Sequence, residues 1–191
     1  MLRTSLTGNL RYLFIVILLS VSLFCFAQSN TSTGEVSKPV PHGPHVPDSS
    51  LQAFHSLSFY DAKKILAQPP YLNDSIWEFN GGIWKYKCVY VGNFKDSITQ
   101  QKPRMYFGFE HYKKTVDAKI FYDLIKKENA KTSSVISLDQ LGDEAFLTKD
   151  ALNGPFIMIR KDKKIFKLRL YNITSDSSVN ELQVFAKKLI L

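Results

Sequence analysis

Cysteine is scarce in this 191-residue chain: Cys25 and Cys88 are the only two. If the leader that holds Cys25 is removed, Cys88 has no partner, which excludes an intramolecular disulfide framework. Histidine is almost as rare, and of the four only His55 and His111 lie in sequence that reads as folded. The Gly-x-Ser-x-Gly elbow, the His-Glu-x-x-His pair, the P-loop and the Rossmann glycine pattern are all missing, which removes the recognised routes to hydrolysis, zinc chemistry and nucleotide binding. No nucleic-acid motif is present either. We therefore expect no cofactor and no metal.

What is present begins with Arg3 and Arg11, then an apolar run from Tyr12 to Ala27. A basic start, an apolar middle and small residues at Cys25 and Ala27 predict a secretory signal peptide over 1–27, cleaved after Ala27. The run falls short of the ~18–20 residues that span a bilayer comfortably, which favours cleavage over a retained anchor. A lipid-anchored reading of Cys25 suffers from the bulky Phe24 before it. Residues 28–50 are Ser, Thr, Pro, His and Gly with few large apolar groups, the composition of a flexible linker. His42 and His45 lie in it, three apart, but a selective metal site needs more ligands and a rigid second shell. The expected product is a secreted or periplasmic domain over 51–191 with no membrane span.

That segment has a helix and strand pattern throughout. Ser58 to Asp61 reads as a capping box opening a short helix with Ala62, Ile65 and Leu66 inward, stopped by Pro69-Pro70. Ile76–Phe79, the turn Asn80-Gly81-Gly82 and Ile83–Val91 predict a hairpin. In its second strand Trp84, Tyr86, Cys88 and Tyr90 share one face. A strand from Arg104 to Tyr112 follows a polar loop. A helix from Thr115, capped by Thr115 itself, is expected to bury Val116, Ile120, Phe121, Leu124 and Ile125. Val135–Leu138 is a short strand. Leu141-Gly142-Asp143 is a tight loop, followed by three strands through Tyr171. With Asp162 and Lys163 as a two-residue loop, Arg160 faces Ile165, Ile159 faces Phe166 and Ile157 faces Leu168. Ser178 to Glu181 predicts a second capping box and a closing helix carrying Leu182, Phe185, Ala186 and Leu189. The expectation is an α+β domain of order α-β-β-β-α-β-β-β-β-α, with a mostly antiparallel sheet packed by helices.

This element order, together with Leu141-Gly142-Asp143-Glu144-Ala145-Phe146, resembles the PsbP-like α/β sandwich and small secreted bacterial domains of unknown function that carry a Gly-Asp-Glu-Ala turn. The resemblance covers roughly Ser58 to the C-terminus. It implies a binding or accessory role, and it transfers no site residues.

The chain carries a net charge of +8, or +6 once Arg3 and Arg11 leave with the leader, enough for weak affinity toward anionic surfaces. Asn30, Asn73 and Asn172 each open a glycosylation sequon, relevant in a eukaryotic source.

Asp143 and Glu144 form a tempting carboxylate pair, but adjacent strand residues point to opposite faces, so a polar turn is the expected role. The more informative constellation is one sheet face combining Arg160, Lys167 and Arg169 with Phe156, Met158 and Tyr171, extended by Arg104 and Tyr106 if their strand joins the same sheet. Such a face can bind an acidic ligand or the anionic loop of an envelope or extracellular protein. The commoner arrangement has a helix over the apolar members while the basic chains snorkel to water. Two functions follow. The preferred one is an exported, non-catalytic binding or accessory module. The alternative is a small secreted hydrolase or other enzyme without a recognised motif, built around His111, Glu110 and Cys88.

Overall fold

The computed structural model describes residues 57–150 and 154–190. The expected signal peptide, the linker with His42 and His45, and Asn30 lie outside the described residues. Among these, three helices and seven strands follow in chain order: α1 (Phe59–Leu66), β1 (Pro70–Asn80), β2 (Ile83–Gly92), β3 (Arg104–His111), α2 (Thr115–Asn129), β4 (Val135–Ser137), β5 (Glu144–Asp150), β6 (Gly154–Lys161), β7 (Lys164–Tyr171) and α3 (Asp176–Lys188). The strands make one antiparallel sheet in the order β1-β2-β3-β7-β6-β5-β4. α2 carries the chain from the middle of the sheet to its far edge, and the meander β4-β5-β6-β7 walks back until β7 pairs with β3.

Local chemistry explains most boundaries. Ser58 caps α1, its hydroxyl accepting from the Asp61 N–H at 3.1 Å while Asp61 accepts from the Ser58 N–H at 3.0 Å. Gly81 and Gly82 close the β1–β2 hairpin, both at positive φ, 59° and 79°. β1 starts at Pro70, earlier than the expected Ile76, with a bulge between Leu72 and Asp74. The β6–β7 register is as predicted, with Ile157 opposite Leu168, Ile159 opposite Phe166 and Arg160 opposite Ile165.

Both later helices begin differently from expectation. α2 is N-capped by Lys114, with no side-chain cap; the Thr115 hydroxyl instead donates to Asp162 at 2.6 Å. α3 starts at Asp176 after Ser175, so Ser178 lies inside the helix and is buried rather than capping it. The buried stripe of α2 is also rotated. Ala118 and Tyr122 are buried with Phe121 and Ile125 against them, whereas Val116, Ile120 and Leu124 are exposed. Ala118 permits close approach to the sheet, and the Tyr122 ring packs edge-on to Phe146 at 5.5 Å.

The sheet is a central layer with unequal cover. One face packs under α1 and α3 and holds the larger core, including Met105, Phe107, Phe109, Ile157, Ile159, Leu168 and Leu170. Each such side chain contributes ~1.5–3 kcal/mol of burial. The other face is covered by α2 over β5, β6 and β7, where Phe146, Phe156, Met158 and Ile165 are buried. No helix among the described residues is long and apolar enough to cross a membrane.

Candidate functional site

α2 decides which part of the basic and aromatic face reaches solvent. Met158 and Ile165 are fully buried and Phe156 nearly so. Arg160 is buried too, and it does not snorkel outward. Its Nη1 donates to Asp143 Oδ2 at 2.8 Å and its Nε to Glu144 Oε2 at 2.9 Å. Asp143 also accepts from the Asp162 N–H at 2.7 Å. The expectation that Asp143 and Glu144 diverge is therefore corrected. Asp143 precedes β5 and lies off the strand pleat, so both carboxylates reach one guanidinium. The turn that places them needs Gly142, whose φ is +69° and where a Cβ would sit 2.5 Å from the Arg160 carbonyl oxygen. The Gly-Asp-Glu motif is thus a clamp that ties the start of β5 to the β6–β7 turn.

Lys167 is likewise engaged. Its ammonium donates to Glu110 at 2.5 Å and stands 4.6 Å from the Phe121 ring centroid. The Tyr112 hydroxyl donates to the same Glu110 carboxylate at 2.5 Å. Burial, then that bond to Glu110, pushes the Tyr112 hydroxyl well above its ordinary range. Lys167 closes the covered half of the face.

Beyond it the face is open. Arg104 lies opposite Tyr171, and Tyr106 opposite Arg169, in the β3–β7 ladder. The two arginines and two tyrosines therefore alternate in a square on one surface. The Arg169 guanidinium carbon stacks 4.5 Å from the Phe156 centroid and 5.9 Å from that of Tyr171. Among the described residues neither Arg104 nor Arg169 has a carboxylate partner. Tyr106 leans over Gly108, where a Cβ would meet its hydroxyl at 2.7 Å, so the missing side chain gives the ring its place. Burial, then the charge of Glu110, raises the Tyr106 hydroxyl to about 12, so it remains a donor at neutral pH. Val89, Gln101, Arg104, Tyr106, Tyr171 and Asn172 line a depression of about 460 Å³ here. Val89, Gln101 and Asn172 join the expected Arg104, Tyr106 and Tyr171 here, the sequence marking Asn172 only as the start of a sequon. Asn172 had one readable signal, a polar residue closing a strand, and it takes a φ of +57°.

The enzymatic grouping is not brought together. Glu110 lies on the α2 face of the sheet, and Cys88 on the opposite one with Phe107. His111 pairs with Trp84, four residues along β2 from Cys88. The Cys88 thiol is buried, and burial raises it to about 11, the reverse of what a nucleophile needs. His111 is held below its ordinary value by burial, then by Lys164 and Lys163. Among the described residues no three His, Cys, Asp or Glu side chains are grouped as a metal ion requires. No protein-family model, no curated protein and no solved structure matches this chain.

Proposed function

We propose that the protein is an exported, non-catalytic binding or accessory module that takes a small anionic ligand on the open half of its sheet. The observation that carries this reading is the Arg104–Tyr106–Arg169–Tyr171 square beside a depression of about 460 Å³, with both guanidinium groups lacking carboxylate partners among the described residues. Arginine offers a planar fork of donors that suits a carboxylate or phosphate, and the tyrosine rings add apolar walls and hydroxyl donors. Export rests on the basic and apolar pattern of residues 1–27. The PsbP-like comparison belongs to the same proposal and is supported by the element order and the Gly-Asp-Glu turn.

Thermal unfolding of the full chain against citrate, succinate, inorganic phosphate, neutral sugars and divalent metals tests it. A ligand at a hundredfold its dissociation constant adds ~2.7 kcal/mol, a shift of several degrees for a domain of this size. The expected pattern is a shift with one of the anions that disappears in Arg104→Ala/Arg169→Ala while the unliganded melting temperature holds. An anion shift that survives this double variant, or a shift with sugars alone, sinks the reading.

A further inference from the structure

The end of the sheet where β1 turns into β2 carries a second surface, on the α1/α3 side. Phe79 pairs with Trp84, Trp84 with His111, His111 with Lys164, and Lys164 with Lys161. One row across five strands thus passes from aromatic to cationic. Behind it Trp77 pairs with Tyr86, and the two aromatic pairs stack with centroids 4.4 Å apart for Phe79–Trp84 and 5.2 Å for Trp77–Tyr86. Trp77 and Phe79 remain 44% and 52% exposed, although cross-strand stacking alone would hold the hairpin without this much apolar area facing water. Around the same end Lys113 lies along the Gly81-Gly82 turn, its Cδ 3.1 Å from where a Gly82 Cβ would be. The Lys163 carbonyl accepts from the Tyr112 N–H at 2.9 Å, which sets Lys163 beside it. Neither Lys113 nor Lys163 has an ion pair among the described residues. Asp162, the acid adjacent to Lys163, accepts from the Thr115 hydroxyl, and Glu110, the acid nearest Lys113 in sequence, accepts from Lys167 and Tyr112.

We propose that this end of the sheet docks on an anionic lipid surface, with Trp77, Phe79, Trp84 and Tyr86 at the headgroup level and Lys113, Lys163 and Lys164 against the lipid charges. Indole and phenol rings are amphipathic and settle where one side is wet and the other apolar. Each lysine held near an anionic bilayer strengthens binding about fivefold, by short-range attraction that salt screens. The charge complementarity favours lipid over an apolar protein groove, because anionic headgroups supply Lys113 and Lys163 with the counter-charge they lack among the described residues, and an apolar rim does not.

Trp77 and Trp84 are the only tryptophans in the chain, so indole emission reports this surface alone. The test uses the full chain with vesicles of phosphatidylglycerol and phosphatidylcholine, some with brominated acyl chains that quench indoles on contact. The apolar run Tyr12–Ala27 can itself hold the chain on a bilayer, so co-sedimentation does not decide the matter and quenching does. Quenching is expected on phosphatidylglycerol vesicles and is lost in about 0.5 M salt, roughly three to four times physiological ionic strength. Lys113→Gln/Lys163→Gln should weaken the quenched state about twenty-five-fold, with unchanged circular dichroism. Vesicle-bound protein with unquenched tryptophan overturns the proposal. So does equal quenching on pure phosphatidylcholine, or a tryptophan blue shift that follows self-association without vesicles.

Discussion

Replacing Arg160 tests whether the Gly-Asp-Glu turn is a structural clamp. The guanidinium is 9% exposed and holds Asp143 at 2.8 Å, Glu144 at 2.9 Å and the Asp162 carbonyl at 3.3 Å. Removing one partner of a fully buried pair costs ~3–5 kcal/mol. Here the carboxylates are 44% and 35% exposed, so water recovers part of their solvation and the loss belongs at the lower end, about 3 kcal/mol for Arg160→Ala. That is close to 10 °C in melting temperature for a domain of this size. Urea unfolding followed by tryptophan emission should show a lower midpoint at an unchanged slope. Acidification supplies a second readout. Burial alone would raise the Glu144 carboxyl, but hydrogen bonds from Arg160 and Lys119 outweigh it and hold the group below its ordinary value. A depressed folded-state value means that Glu144 stabilises the fold above its unfolded value and that this contribution drains away as pH falls through the folded one. In Arg160→Ala the loss of stability below about pH 4.5 should therefore be shallower than in the parent. A change under ~0.5 kcal/mol, the size seen for exposed ion pairs, with an unaltered acid limb, would refute the clamp.

Other perturbations read other parts of the fold. Gly142→Ala forces a side chain into positive φ and against the Arg160 carbonyl, and should cost at least ~1–2 kcal/mol from backbone strain alone, measured by the same urea titration. Glu110→Ala leaves the Lys167 ammonium, whose side chain is only 17% exposed, and the buried Tyr112 hydroxyl without their partner; it should lose about 3 kcal/mol, whereas Glu110→Ala/Lys167→Met/Tyr112→Phe should recover most of this in calorimetry. Among the described residues nothing hydrogen-bonds the buried Tyr122 hydroxyl, so Tyr122→Phe keeps the ring contact with Phe146 and should gain about 1 kcal/mol. A loss in that variant would show that the hydroxyl is satisfied after all. Cys88, raised to about 11, should alkylate with iodoacetamide at pH 8 about a hundredfold more slowly in the folded chain than in urea, the ratio of thiolate fractions against an unperturbed thiol.

The readable parts of the fold were those where one local rule acts alone. Strict alternation on both sides of Asp162-Lys163 fixed the β6–β7 register, and Ser58 with Asp61 fixed the start of α1. The misreadings came where a non-local partner competes. Thr115 is a good cap by type, yet Asp162, brought beside it by the sheet, takes its hydroxyl. Counting aliphatic residues turned the stripe of α2 toward Val116, Ile120 and Leu124, because Ala118 and Tyr122 reveal themselves as core only when Phe146 lies beneath them. Alternation separated Asp143 from Glu144, but it holds only inside a strand, and a side chain as long as Arg160 can reach both.

The candidate site was legible as a set of residues and illegible as a surface. Phe156, Met158, Arg160, Lys167, Arg169, Tyr171, Arg104 and Tyr106 do share one face, as the period of two requires. Which of them stay open depends on where α2 crosses, and that follows from β7 pairing with β3 across a long stretch of chain. One part of the answer could still have been reached by size. A helix is roughly 10–12 Å across, side chains included, and strands lie about 4.8 Å apart. Seven strands therefore present a face about 30 Å wide, and one helix of 15 residues covers only two or three of them. With α1 and α3 together on the opposite face, an uncovered half was unavoidable. The strand ladder places Arg104, Tyr106 and Arg169 on it, beside Lys85 and Lys87 of β2, and it is the neutralisation of the two arginines that the ligand screen measures.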